Sequence, residues 1–196
     1  MNNNRVRAYC NTPQQNRRSI RLKGYDYRQA GAYFVTVSTQ NRECLFGDIA
    51  DGEMVLNDAG RMVETVWEET PKLRPNIALD EFVVMPNHVH GIVTIIETCR
   101  GVLQYAPTQS NTPKFRSPTQ TIGAIIRGFK SAATKRINEM RHTPGAKLWQ
   151  RNYYEHIIRN KNELNRIREY IINNPMKWEL DSENPDCRGT ACRAQA

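Results

Sequence analysis

His88 and His90 are separated by a single valine in Val83-Val84-Met85-Pro86-Asn87-His88-Val89-His90-Gly91-Ile92-Val93, an apolar run rich in β-branched residues. Side chains alternate faces along a strand, so residues i and i+2 project the same way. Both imidazoles can therefore reach one divalent ion while Val89 points to the opposite face. Pro86-Asn87 suits a tight turn just before the pair and sets it near a strand end. Imidazole is the commonest metal ligand among side chains, but two histidines need a further ligand and a reacting group to make a catalytic centre. Two chemistries with related spelling are excluded. A histidine-triad nucleotide hydrolase needs another histidine at the next alternate position, which is Ile92, and a zinc metalloprotease needs His-Glu-x-x-His, which the chain lacks.

The missing parts can be sought on the helical run Asn162 to Pro175. Leu164, Ile167 and Ile171 recur at helical spacing as a buried stripe. Tyr170 and Asn174 lie on its flank, one turn apart on one face. A divalent ion held by His88, His90 and the Asn174 amide oxygen would polarise a scissile phosphate. The Tyr170 oxygen would attack phosphorus and split one hard step into two. A free phenol has a pKa of about 10, so the metal or basic surroundings must help to deprotonate it. A His/His/amide-oxygen set suits Mg²⁺ or Mn²⁺ better than a thiolate-rich structural zinc site does. Tyr153 and Tyr154 are competing phenols, and His156 is a competing ligand.

These residues must be held by a small set of elements. Tyr33 to Thr39 is a strand rich in β-branched and aromatic residues. Asn57 or Asp58 caps a helix running to about Thr70, with Met62, Val63, Val66 and Trp67 on one face and Pro71 closing it. Ile77 to Met85 and His88 to Ile96 form an antiparallel hairpin through the Pro-Asn turn. Residues 100–118, with Pro107, Pro113 and Pro118, have loop composition, and a loop of that length is functional or disordered. A helix spans about Gln120 to Met140, and Tyr153 to Arg159 is a further strand. A last helix begins at Asn160 and ends at Pro175. The order β-α-β-β-α-β-α predicts an α+β, ferredoxin-like four-stranded antiparallel sheet (βαββαβ) whose extra C-terminal helix carries the nucleophile. Residues 1–20 are expected to be a mobile basic arm, 21–178 the single domain, and 179–196 a disordered tail.

Charge points to the partner. The 196-residue chain has 28 Lys plus Arg against 20 Asp plus Glu. Residues 1–31 hold seven bases and one acid, residues 114–141 again seven and one, whereas residues 43–81 hold ten acids and three bases. A chain polarised in this way presents a positive surface, and nucleic acid is the usual partner of such a surface. Arg17, Arg18, Arg21 and Lys23 on the arm, Arg127, Lys130 and Lys135 on the second long helix, and Arg159 are the expected DNA-backbone contacts. Five cysteines, odd in number and without Cys-x-x-Cys, argue against a disulfide framework or zinc finger. No 18-residue apolar run or signal-peptide pattern is present. The expectation is a cytoplasmic, nucleoid-associated bacterial protein with reduced thiols and no membrane partner.

His-Val-His after a strand, followed some eighty residues later by Tyr-Ile-x-x-Asn-Pro on a terminal helix, resembles the HUH single-tyrosine transposases. The segments Arg17–Tyr27, Tyr33–Thr36, Gly123–Ser131 and Tyr154–Asn160 resemble the REP-associated tyrosine transposase branch, and the likeness covers roughly residues 17–178. It implies metal-dependent cleavage and rejoining of single-stranded DNA through a 5′-phosphotyrosine, beside small imperfect (REP-like) hairpins. It implies that His88 and His90 bind metal and that Tyr170 attacks. Insertion-sequence relatives carry a glutamine ligand four residues after the tyrosine; this chain has Asn174, one methylene shorter. Monomer and homodimer both remain open. Two other readings fit the same surface: a hairpin-binding regulator of DNA or RNA that no longer turns over, and a metal-dependent phosphodiesterase that uses water and leaves Tyr170 dispensable.

Overall fold

The computed structural model describes residues 26–27, 29–96 and 121–185. Arg17, Arg18, Arg21 and Lys23, the 100–118 loop and residues 186–196 lie outside them.

Four strands make one antiparallel sheet in the order β4-β5-β1-β6. These are β1 (Gly31–Ser38), β4 (Ile77–Met85), β5 (His88–Ile95) and β6 (Tyr154–Ile158). That is the expected ferredoxin-like order, with β1 and β5 central and therefore buried on both faces. Along β5 every residue but Thr94 is buried, and alternation sorts the residues into two layers. Val89, Val93 and Ile95, with Tyr33, Val35 and Val37 of β1, join the main core. This core is closed by α1 (Asp58–Glu68) and α3 (Ile122–Arg141). His88, His90 and Ile92 project the other way, where Phe34 and Ile92 pack on Ile167 and Ile171 of α4 (Lys161–Ile172). The site thus sits on the α4 face of the sheet and the larger core lies behind it.

Capping residues fix where the helices start. Asn57, Thr121 and Asn160 each accept a backbone N–H three residues on, which satisfies donors a helix N-terminus leaves orphaned. The helix expected through Thr70 ends at Glu68. Pro71 does not close it but sits in the first turn of a separate short helix, α2 (Thr70–Leu73), where proline's missing N–H costs nothing.

One pair of strands was not expected. β2 (Gly47–Ala50) and β3 (Glu53–Leu56) form a separate hairpin between β1 and α1. Asp51 (φ 52°) and Gly52 (φ 78°) turn it, both left-handed, as a two-residue hairpin loop requires. Gly91 answers a different need. A Cβ there would lie 2.4 Å from Trp67 Cζ2, so only glycine lets the β5 backbone meet the buried indole behind the site.

The lengths of β4 and β5 do not match. Between Leu79↔Val93 and Phe82↔Gly91, Asp80 and Glu81 stand opposite Ile92 alone. This is a bulge, which re-aims side chains, and Asp80 meets Arg168 of α4 through it, with contacts of 2.9 Å to Nε and 2.7 Å to Nη2. At the other edge His156 of β6 lies 2.8 Å from Glu163. The helix expected to carry the nucleophile is therefore tied to both edge strands.

Candidate active site

Because β5 starts at His88, the two imidazoles stand at the end of a central strand, beside the β4–β5 turn. Their Nε2 atoms are 2.9 Å apart. The partner of His88 Nδ1 decides what its Nε2 offers. Asn87 donates its amide to the carbonyls of Arg42 (3.0 Å) and Glu183 (2.7 Å). Its Oδ1 is therefore the acceptor for His88 Nδ1 at 2.8 Å, which fixes the proton on Nδ1 and the lone pair on Nε2. His90 Nδ1 meets Thr36 Oγ1, across β1, at 2.8 Å. The two Nε2 atoms converge on one small space, where a single cation can meet both.

Both rings are neutral at physiological pH. Burial pushes His88 down to about 3, with the Arg42 charge adding to the effect. His90 is held well below its usual value by burial first and by His88 second, while Asp181 acts against them. The neutral ring is the ligating form.

Tyr170 completes the arrangement. Its hydroxyl is 3.3 Å from His90 Nε2, and its ring centroid is 5.3 Å from that imidazole. Phe34 backs both: it stacks on His90 at 5.4 Å and 29°, and meets the Tyr170 ring edge-on at 6.0 Å. The helix lies across the sheet with its phenol over the paired imidazoles, as the spacing predicts.

Asn174 is 3% exposed, and its Oδ1 is a buried oxygen with no hydrogen-bond partner among the described residues. A buried, unsatisfied carbonyl oxygen costs free energy unless something electropositive meets it. A second oxygen was not foreseen. Residues 179–185, part of a stretch expected to be disordered, are placed against the domain and bring Asp181 into the site. Asp181 Oδ2 lies 4.0 Å from His88 Nε2. One ligand atom from each of His88, His90 and Asp181 falls within 4.8 Å of the others. The segment is fastened by Glu183, which pairs with Arg42 at 3.2 Å and accepts from Ser38 at 3.2 Å. The donor set of two neutral imidazoles and a carboxylate fits a divalent cation. Asp181 had no local signal, since its role depends on a strap that folds back from the end of the chain.

The competing residues are placed elsewhere. His156 pairs with Glu163 and is not among the converging ligands. Tyr154 meets Phe34 edge-on at 6.2 Å, and Tyr153 shares a short hydrogen bond with Glu155. The expected cationic contacts are split. Lys130 turns inward, donating to the carbonyls of Gln150 (2.9 Å) and Asn152 (2.8 Å), and burial lowers it to about 8. Arg127 and Lys135 are exposed, but α3 packs on the face of the sheet opposite the histidines. Arg159 is exposed between β6 and α4.

No family model matches the chain. An uncharacterized protein of Haemophilus influenzae is 48% identical over 169 residues, covering 84% of this chain and 91% of that one. Among solved structures, a REP-associated tyrosine transposase bound to a REP hairpin superposes with a TM-score of 0.52 at 21% identity, covering 78% of this chain and 71% of the other. The chain therefore belongs to one family with the Haemophilus influenzae protein, and its fold is that of the REP-associated tyrosine transposase.

Proposed function

We propose that the protein is a single-stranded DNA endonuclease and strand transferase that works through a 5′-phosphotyrosine at hairpin-associated sites. The observation that carries this reading is the Tyr170 hydroxyl at 3.3 Å from the Nε2 of a buried, paired histidine. A phenol, two convergent imidazoles and a carboxylate have no joint structural purpose, and a pure binding module has no need of the set.

His88 and His90 would hold a divalent ion, Mg²⁺ or Mn²⁺, with Asp181 and the Asn174 amide oxygen as further donors. When bound, the metal supplies Lewis acidity toward a phosphate oxygen and lowers the barrier to negative charge nearby. The rest falls to the chain. Asn87 and Thr36 orient the imidazoles. Phe34 packs against the phenol, and the Arg168–Asp80 ion pair and the His156–Glu163 contact hold the helix that carries it. The Tyr170 oxygen loses its proton and attacks phosphorus; the Oη–P bond forms, the P–O3′ bond breaks, and the departing 3′ oxygen takes up a proton. The phosphodiester is conserved as a tyrosyl ester, so a 3′ hydroxyl of another end can reverse the step and join a new strand.

The partner is single-stranded or hairpin DNA, engaged by Arg159 before α4 and by the basic residues Arg17, Arg18, Arg21 and Lys23, with Arg127 and Lys135 reaching only DNA that wraps behind the sheet. The solved relative is itself bound to a REP hairpin, which supports this choice. Among the described residues no helix is long and apolar enough to cross a membrane. The test is incubation with 3′-end-labelled hairpin DNA and Mn²⁺, followed by denaturing electrophoresis. A labelled protein adduct that disappears with chelator and in Tyr170→Phe is expected. Cleavage by Tyr170→Phe at the wild-type rate would replace the tyrosine with water as nucleophile.

A further inference from the structure

The ordered strap begins with a short 3₁₀ helix, Pro175–Leu180, that buries none of its residues. Met176 and Leu180 are each 74% exposed, and Ile172, just before it, is 61% exposed. Trp178 lies between them, partly exposed, with its ring 6.1 Å from that of His88 and tilted 36° to it. Indole is the largest apolar side chain, and nothing in the main core needs it here: Trp67 and Trp149, at 1% and 8% exposure, fill the core instead. Of the acids of the strap, Asp181 is turned toward the histidines and Glu183 pairs with Arg42, while Glu179 is exposed next to Trp178 in sequence. They make it a poor seat for phosphate. What the strap offers a strand whose phosphate sits at the histidines is a partly exposed indole, its ring centre 6.1 Å from that of His88, with Lys177 exposed next to it in sequence.

We infer that Trp178 is a stacking platform for an unpaired DNA base next to the phosphate that Tyr170 attacks, flanked by Met176 and Leu180. This rests on the DNA reading above and adds a subsite to it: the enzyme would hold the scissile position by stacking, which every base tolerates, and would require that nucleotide to be out of a duplex.

The test uses full-length protein in a Tyr170→Phe background, so that no turnover is needed. The probe is a DNA hairpin with a single-stranded 5′ flank, and a series with one abasic nucleotide moved along that flank. Tryptophan emission should fall on binding, because Trp178 is the accessible indole. Trp178→Leu should lose most of that quench and bind about five- to hundredfold more weakly, the range that stacking of one base commands. One abasic position should weaken the parent yet leave Trp178→Leu unchanged. Should Trp178→Leu lose its native circular dichroism, Trp178→Phe carries the same comparison with the fold kept, and must show an abasic penalty between those of the two proteins. Equal abasic penalties with and without the indole, or DNA bound tightly with unquenched emission, would overturn the platform alone. No DNA binding in any form would overturn it together with the reading on which it rests.

Discussion

Asn87 is the residue whose loss should show most clearly that the histidines are built to ligate. It is wholly buried, and its amide makes three bonds at once: from His88 Nδ1, and to the carbonyls of Arg42 and Glu183. Asn87→Ala breaks all three. At about 0.5–1.5 kcal/mol net per hydrogen bond, the fold should lose about 1.5–4.5 kcal/mol. The upper half of that range is expected, since water cannot easily replace an amide buried beside a wholly buried imidazole. The same change frees the His88 ring to adopt the other tautomer and loosens the strap that carries Asp181. Loss of an orienting partner of this kind typically weakens metal binding by about 10–100-fold, which is about 1.4–2.8 kcal/mol of metal-linked stabilisation. Mn²⁺ titration of both proteins by calorimetry and by thermal shift measures the two effects separately. A variant with lowered stability but an unchanged metal affinity would refute the claim that Asn87 sets the tautomer of a metal ligand.

Other outcomes follow from the same geometry. Arg168→Gln removes the paired fork onto Asp80; adduct formation should slow several-fold more than DNA affinity falls, and equal losses in both would deny a positioning role. Gly91→Ala should cost about 1–3 kcal/mol by overpacking against Trp67, read as a lowered denaturant midpoint, with Gly91→Ser no better. Stability of the metal-free protein should fall on acidification. The His88 pKa is depressed when folded, to about 3 from 6.5, so the unfolded chain takes up more protons. Its contribution is whole above pH 6.5 and is lost as the pH falls from there toward 3. Chemical denaturation at stepped pH checks the sign; stability that rises below pH 6 would contradict it.

Much of this site was legible in sequence because its signals are local. A period of two put His88 and His90 on one face, and a period of 3.6 put Tyr170 on the flank of the stripe formed by Ile167 and Ile171; the sheet and α4 then met as those patterns required. The Asp51-Gly52 hairpin had a local signal too, turn residues between short alternating runs, but its acidic, half-exposed strands lack the apolar weight that marked the others. Asp181 is different in kind. A carboxylate in a polar C-terminal stretch has no periodicity, and it reaches the histidines through its neighbour Glu183, which is held by Arg42, Ser38 and Asn87, all distant in sequence. The layer on which α3 packs was equally hidden, since its stripe says that one face is buried but not against which side of the sheet, and Lys130 looked like a surface cation until two carbonyls claimed it.

The most direct measurement is the chemical identity of the residue that carries DNA after reaction with Mn²⁺. Trypsin cuts after Arg168 and Lys177, so Tyr170 is the lone phenol of the peptide Glu169–Lys177, whereas Tyr153 and Tyr154 fall together in Asn152–Arg159. Nuclease trimming followed by mass spectrometry should find the 5′-nucleotide mass on Glu169–Lys177 alone. The same mass on Asn152–Arg159, or cleaved DNA with no modified peptide, would contradict the account.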